Sequence, residues 1–518
     1  MRVTSRGEPR TRFVDPTAVA GSWAVGAVAV IAILARACAY VLPGEIMAVR
    51  EYDDGVMLGG AIALVNGDLP YRDFVYMHPP GSLLAVAPMA ATSALWGEPT
   101  AMAITRWVVV LVGAANAVLI GLILRKWGAV AIVTGAGLYA VWPVVVGTER
   151  IYMLEPVLNL ALLATLLVIR RGRRAALAVG ALLGLAVTVK VWAIVDVVIL
   201  TAPIALLLGR RALLRYVAGV GIAVAAVCLP FFLQAPLAMW HQVVVAQLAR
   251  AGTPSSLLWR TSVFFPTTGI HSIDRLLPAW AGMLLLIVVA SVVALSGVPA
   301  LRRAPSLRAL PWPAWWAIIA LTHAVIILGS RGFYYHYAVW VLAPLCLCIG
   351  WAAARIARRV DPRKVTAVVG VVVLAILGSN LVGTMRAPTA FDEGTGSLGA
   401  WAASKTCIWA HSSVLIAADA LRRNLDDDCS DSVDSVGDFL AGDIATSRVT
   451  DDPAGSAWWR QQQLDQISRS DGVAYMGSGT HPEWFTDLEK AAFEQDFRYI
   501  GVYGGADVWE RADGRPTP

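Results

Sequence analysis

Long apolar runs alternate along this chain with short polar connections. Runs long enough to cross a bilayer fall near 18–42, 101–124, 128–146, 153–169, 175–190, 192–209, 216–233, 277–298, 312–330, 338–354 and 365–385. They predict about eleven transmembrane helices. Two further apolar stretches, 55–65 and 81–96, are too short or, at Pro88, too broken to span, and read as helices lying in the membrane interface. The segment 234–274 has a similar mixed character, with Trp240, Trp259 and Arg260 suited to headgroup depth.

After about Arg386 the pattern changes to that of a small α/β domain. It predicts a strand at 413–418, a polar helix at 458–468, a strand at 472–476 and a helix at 484–494. A hairpin then pairs 499–502 with 507–510 across Gly504-Gly505. The expected organisation is a basic tail (1–17), a membrane domain (18–385) with a large loop at 44–100, and a C-terminal domain (386–518).

Composition sharpens this picture. The 518 residues are 57% hydrophobic and only 15% charged, with mean hydropathy +0.63; a soluble chain would carry nearer a quarter charged residues. Residues 1–385 hold 31 Lys and Arg against 14 Asp and Glu, a net +17, whereas 386–518 hold 11 against 22, a net −11. The positive excess sits in short loops between apolar runs, so it does not point to nucleic acid. Arg2, Arg6, Arg10 and Arg12 precede the first run, which is too long for the core of a typical signal peptide; we read it as a retained span. Basic clusters recur at Arg125-Lys126, Arg170 to Arg174, Arg210 to Arg215, Arg302 to Arg308 and Arg355 to Lys364. All lie at alternate connections. The positive-inside rule then predicts a multi-pass plasma-membrane protein with a cytoplasmic N-terminus and an extracytoplasmic C-terminal domain.

Reactive side chains gather on the side predicted to face outward. Glu51, Asp53 and Asp54 stand where the chain leaves the first span. A helical turn pairs Glu51 with Asp54 and an extended one pairs Glu51 with Asp53. Either pair could act as a general base with a raised pKa, or could hold a divalent cation such as Mg or Mn. Acids opening a helix at Gly55 are the structural alternative. Lys190 closes an apolar run, where it either snorkels or meets an anion. Asp196 follows it inside a predicted span. Among the six cysteines, Cys407 and Cys429 are alone in the outer domain, and we predict that they pair. No zinc-ligand spacing is present.

The order of these motifs resembles the GT-C superfamily of integral-membrane glycosyltransferases. Asp53-Asp54 after the first span, Pro70-Tyr71-Arg72-Asp73 and Pro79-Pro80-Gly81 are similar to its first outer loop. Glu149-Arg150-Ile151-Tyr152-Met153-Leu154-Glu155-Pro156 resembles its second. Gly184 to Lys190 resembles a Gly-Leu…Thr-Lys segment, although Val191 stands where the family often has Pro. Tyr334-Tyr335-His336-Tyr337 resembles a late aromatic-His-Tyr motif. The likeness covers about 18–385 and is strongest to the branch of protein mannosyltransferases and aminoarabinose transferases of lipid A (glycosyltransferase family 39-like).

The resemblance implies that Asp53 or Asp54 deprotonates an acceptor hydroxyl, which displaces a polyprenyl phosphate from a mannose- or arabinose-like sugar with inversion. The acceptor would be a cell-envelope glycan, lipid or protein. Lys190, Arg331, Arg150, Arg72 and His336 would stabilise the donor phosphate. His78, Glu149, Glu155 and Tyr335 would contact substrate. A different class of function, a carrier moving a lipid-linked sugar across the membrane, would use Arg36, Lys190 and Asp196 as an internal path.

Overall fold

The computed structural model describes residues 16–42, 44–249, 255–265, 306–386, 397–427, 429, 433–445, 456–476, 481–482 and 484–512. The N-terminal segment 1–15 and the span expected at 277–298 lie outside the described residues.

The predicted spans within the described residues are helical, except that 128–146 is broken at the extended Trp142 into helices of 13 and 6 residues; 8 helices among the described residues are long and apolar enough to cross a membrane. The first half of the bundle holds α1 (Pro16–Ala37), α2 (Tyr52–Asn66), α3 (Gly81–Ala90), α4 (Glu98–Leu124), α5 (Ala129–Val141) and α6 (Pro143–Thr148). There follow α7 (Glu155–Val168), α8 (Ala176–Val189), α9 (Ile194–Pro203) and α10 (Arg210–Gln234), then α11 (Trp312–Gly329), α12 (Ala338–Ala357) and α13 (Pro362–Arg386). Helix α5 is the hub, touching α1, α4, α12 and α13. Helices α8 and α10 approach through small residues: a Cβ added at Gly180 would lie 2.0 Å from the Tyr216 carbonyl oxygen.

The ends of the bundle differ in charge. Helix α4 begins at Glu98 against the C-terminal domain and runs 27 residues, about 40 Å, to a basic end. There Arg125 Nη2 donates to Ser22 Oγ at 3.1 Å and Arg170 Nη2 to the Ile123 carbonyl at 2.8 Å.

The C-terminal domain carries a four-stranded mixed sheet of β1 (Ile408–Ala410), β2 (Gly472–Tyr475), β3 (Phe497–Tyr503) and β4 (Ala506–Arg511), in the order β1-β2-β4-β3. β1 pairs parallel to β2, and β4 runs antiparallel to both β2 and β3. Around the sheet lie α14 (Ser412–Ala417), α15 (Leu421–Asp426), α16 (Ser435–Ala445), α17 (Ala457–Ser468) and α18 (Asp487–Asp496). A disulfide joins Cys407 to Cys429, with Cα atoms 5.3 Å apart.

Three local expectations need correction. The segment expected as a strand at 413–418 is the helix α14, and the strand lies just before it at β1. Its β-branched residues favour a strand locally, but packing on α2 overrides that preference. Helix α18 starts at Asp487, later than expected, because Thr486 forms a capping box with Glu489. Helix α2, expected on the membrane interface, is buried from Asp54 to Ala63. The C-terminal domain covers it. A Cβ at Gly55 would lie 2.2 Å from Ser413 N, so glycine there permits α14 to sit directly on the α2 backbone.

A second seam fastens the domain at α4. Asp419 Oδ1 accepts from Glu98 N–H at 2.8 Å, while the Glu98 carboxylate accepts from the N–H groups of Leu421 (2.9 Å) and Arg422 (2.7 Å). Each carboxylate caps the helix of the other domain.

Candidate active site

Glu51 precedes α2 in an extended conformation, and Asp53 and Asp54 form its first turn. Neighbours on a helix point about 100° apart, so the two aspartates meet different surroundings. Asp54 is buried. It takes Arg106 Nε at 3.0 Å and Nη2 at 2.6 Å on one oxygen and the Tyr152 N–H at 2.8 Å on the other. Arg106 also donates to the carbonyls of Ile46 and Ala48. Both oxygens of Asp54 are thus committed to these partners, unlike those of Asp53.

Asp53 faces the other way and is 41% exposed. Its Oδ2 lies 3.7 Å from His336 Nε2. The other ring nitrogen, Nδ1, is 3.1 Å from Glu155 Oε2. Glu155 Oε1 accepts from Lys190 Nζ at 2.5 Å, and Lys190 rests over the rings of Trp192 (4.0 Å) and Tyr337 (4.5 Å). Four segments of the chain thus build one row: Asp53, His336, Glu155, Lys190. Lys190 meets an anion, as one of its two readings required, but that anion is Glu155. Its ammonium is committed to Glu155 in this row.

A cavity of about 520 Å³ is lined by Glu51 and Tyr335, from the segments that carry Asp53 and His336, and among others by Tyr40, Glu45, Arg50, Arg106, Arg150, Trp259 and Asn380; the four residues of the row are outside this lining. Tyr335 donates to Glu51 Oε2 at 3.2 Å. Burial and, after it, the Asp53 charge push the Glu51 carboxyl above its ordinary value. Burial likewise pushes Arg50 and Arg150 below the usual guanidinium value. Arg50 pairs with Glu45. Arg150 Nη2 reaches Ala35 O (2.8 Å), Cys38 Sγ (3.0 Å) and Thr384 Oγ1 (3.2 Å), while its Nε is buried with no hydrogen-bond partner among the described residues. A desolvated guanidinium so placed suits an incoming anion.

Other predicted site residues stand apart. Glu149 is buried with Arg36, whose Nε donates at 2.8 Å, and also accepts from Asn116 and Tyr139. It pairs with neither Arg150 nor an open surface, and its observed contacts are with neighbouring helices. Glu155 is equally buried and contacts His336 and Lys190. Arg72 forms an exposed pair with Asp73 at 2.7 Å, closing the Tyr71–Phe74 turn, away from the cavity lining. His78 offers its carbonyl to Tyr71 at 2.6 Å and also lies outside that lining. Arg331 is exposed; its carbonyl accepts from Arg260, which also holds those of Leu328 and Ser330 ahead of the Tyr335–Tyr337 turn.

The donor set does not suit a divalent cation. Asp53 and Asp54 diverge, Asp54 is saturated, and no three His, Cys, Asp or Glu side chains converge for a metal among the described residues. Sequence reasoning missed Arg106 and His323. Arg106 stands within the predicted span 101–124, and an arginine there is itself a signal of a buried partner. His323 Nε2 lies 2.8 Å from Asp196 Oδ1 and its ring stacks on Trp340, so the partner expected for Asp196 comes from α11.

No family model matches this chain, and no curated protein matches it. Solved structures do, two of them of ArnT. ArnT from Cupriavidus metallidurans in the apo state superposes with a TM-score of 0.58 at 13% identity, over 96% of this chain and 98% of that one. ArnT from the same organism bound to undecaprenyl phosphate gives 0.50 at 14%, over 96% and 99%. At such identity the likeness speaks for architecture: this chain is a polytopic helical membrane protein of the GT-C fold, with a C-terminal α/β domain, built along nearly the full length of ArnT.

Proposed function

We propose that this protein is a membrane glycosyltransferase that moves one sugar from a polyprenyl-phosphate donor to a hydroxyl group on the outer side of the plasma membrane. The observation that carries the reading is the half-exposed Asp53 carboxylate, two residues from Glu51, which lines a cavity that also holds a desolvated arginine, on the fold of a protein crystallised with undecaprenyl phosphate. Asp53 takes the acceptor's proton as the acceptor oxygen bonds to the anomeric carbon. The bond from that carbon to the phosphate oxygen breaks on the opposite face, and its electron pair leaves with the polyprenyl phosphate. Arg150, with Arg50, meets the negative charge that develops there. His336, held by Glu155 and Lys190, faces Asp53 and fixes its surroundings. The same chemistry serves a mannose- or arabinose-like sugar, and the acceptor is a cell-envelope glycan, lipid or protein. No step passes through a metal.

The sidedness belongs to the same reading: the basic end faces the cytoplasm, and Asp53 with the C-terminal domain faces outward. The test is sugar transfer by the purified protein in detergent, with a polyprenyl-phosphate-sugar pool and envelope extract. Turnover without a sealed compartment is expected, together with a missing glycosidic linkage in a deletion strain. Movement of lipid-linked sugar in vesicles, with no new linkage in detergent, would instead establish a carrier. Tag mapping that places Asp53 in the cytoplasm would end the proposal.

A further inference from the structure

The C-terminal domain grips α2 at the very turn that bears Asp53. Tyr52, the first residue of α2, stands between Glu51 and Asp53. Its hydroxyl donates to Asp434 Oδ1 at 2.8 Å and accepts from the Val436 N–H at 3.0 Å. Its ring meets His411 edge-on, with centroids 5.0 Å apart. Asp434 also accepts from the Gly437 N–H at 2.7 Å, at the start of α16. Residues 51–54 are therefore held from different directions. Tyr335 holds Glu51, the C-terminal domain holds Tyr52, Asp53 faces His336, and Arg106 holds Asp54. A turn fastened this way cannot rotate about the helix axis without breaking one of these bonds.

We propose that Tyr52 is a positioning residue for the transfer step: through its bond to Asp434, the C-terminal domain sets the orientation of the Asp53 carboxylate. This rests on the reading of Asp53 as the base. The hydroxyl is dispensable for docking itself, because the glycine seam at Gly55 and the capping exchange between Glu98 and Asp419 fasten the domain independently. Tyr52 also lies outside the lining of the cavity assigned to the donor. Its loss should therefore act on rate and spare donor binding.

The experiment is Tyr52→Phe in the full-length protein in detergent, alone and combined with Asp53→Asn. The single variant should lose on the order of 10- to 100-fold in kcat, the scale of a small misplacement of a reacting group, with unchanged affinity for polyprenyl phosphate. Added to Asp53→Asn, it should cost nothing further, because the hydroxyl acts only through that carboxylate. Wild-type kcat in the single variant, or an equal loss in both backgrounds, overturns the proposal. Near-normal turnover by Asp53→Asn alone is a separate result that removes the base assignment. If Tyr52→Phe does not assemble, Asp434→Ala breaks the same bond from the other domain and must reproduce the kcat loss.

Discussion

Asp53 and Asp54 are consecutive and identical in kind, yet they belong to two different regions of the molecule. Asp54 joins a closed region in which charge is cancelled where it is buried: Arg106 covers Asp54, and Arg36 covers Glu149. Asp53 belongs to an open region, where a carboxylate remains half-exposed and a row of partners stands behind it. The closed pairs hold helices together. The open one keeps a carboxylate available. Chemical type is common to both regions, so what separates structural from reactive charge is whether every donor and acceptor has been spent.

The comparison breaks most sharply at the open region. Asp53→Asn should cut sugar transfer by roughly 10²- to 10⁴-fold, the usual contribution of a general base, while leaving the melting temperature in detergent unchanged. At the closed region the effects reverse. Arg106→Ala strands Asp54 without its cation and should destabilise the protein by about 3–5 kcal/mol, seen as a fall in melting temperature or a failure to accumulate in the membrane. If Arg106→Ala folded normally, or if Asp53→Asn unfolded the protein, the distinction between the two regions would be wrong.

Much of the membrane architecture was readable from the sequence because a bilayer imposes a length and a polarity that single runs reveal. The loop 44–100 also stood out as the candidate reactive one, since acids outside a span are conspicuous in so apolar a chain. What could not be read was which acid is free. The turn at 51–54 admits several pairings, and its outcome depends on Arg106 and His336, which approach from distant segments. The same holds for α2, whose burial follows from contact with α14 that no local pattern encodes. Lys190 shows the limit most plainly: its run left open whether it snorkels or meets an anion, and only the fold brings Glu155 to within 2.5 Å.

Arg150 lies between the two regions, with three contacts made and Nε still unpartnered among the described residues. Arg150→Lys keeps the charge and removes the planar fork. Polyprenyl-phosphate affinity, measured by titration in detergent, should weaken about tenfold, the loss of one charge-assisted hydrogen bond. An unchanged Kd would place the donor phosphate elsewhere, with Arg50 the next cation on the cavity wall.

The smallest expected effect concerns acidity rather than rate. Glu51 holds its proton to higher pH than an ordinary glutamate, first because it is buried and then because Asp53 is close. As pH falls Glu51 therefore takes up its proton early, and the Tyr335 hydroxyl loses a charged acceptor. The kcat/KM of transfer should decline on the acid side as that proton is taken up. Glu51→Gln fixes the side chain in an uncharged form of the same shape, so the part of the acid limb that belongs to Glu51 should disappear, with the plateau rate reduced only modestly. An acid limb that is the same in wild type and Glu51→Gln would mean that the charge on Glu51 does not bear on transfer, and the raised carboxyl would then be a feature of packing alone.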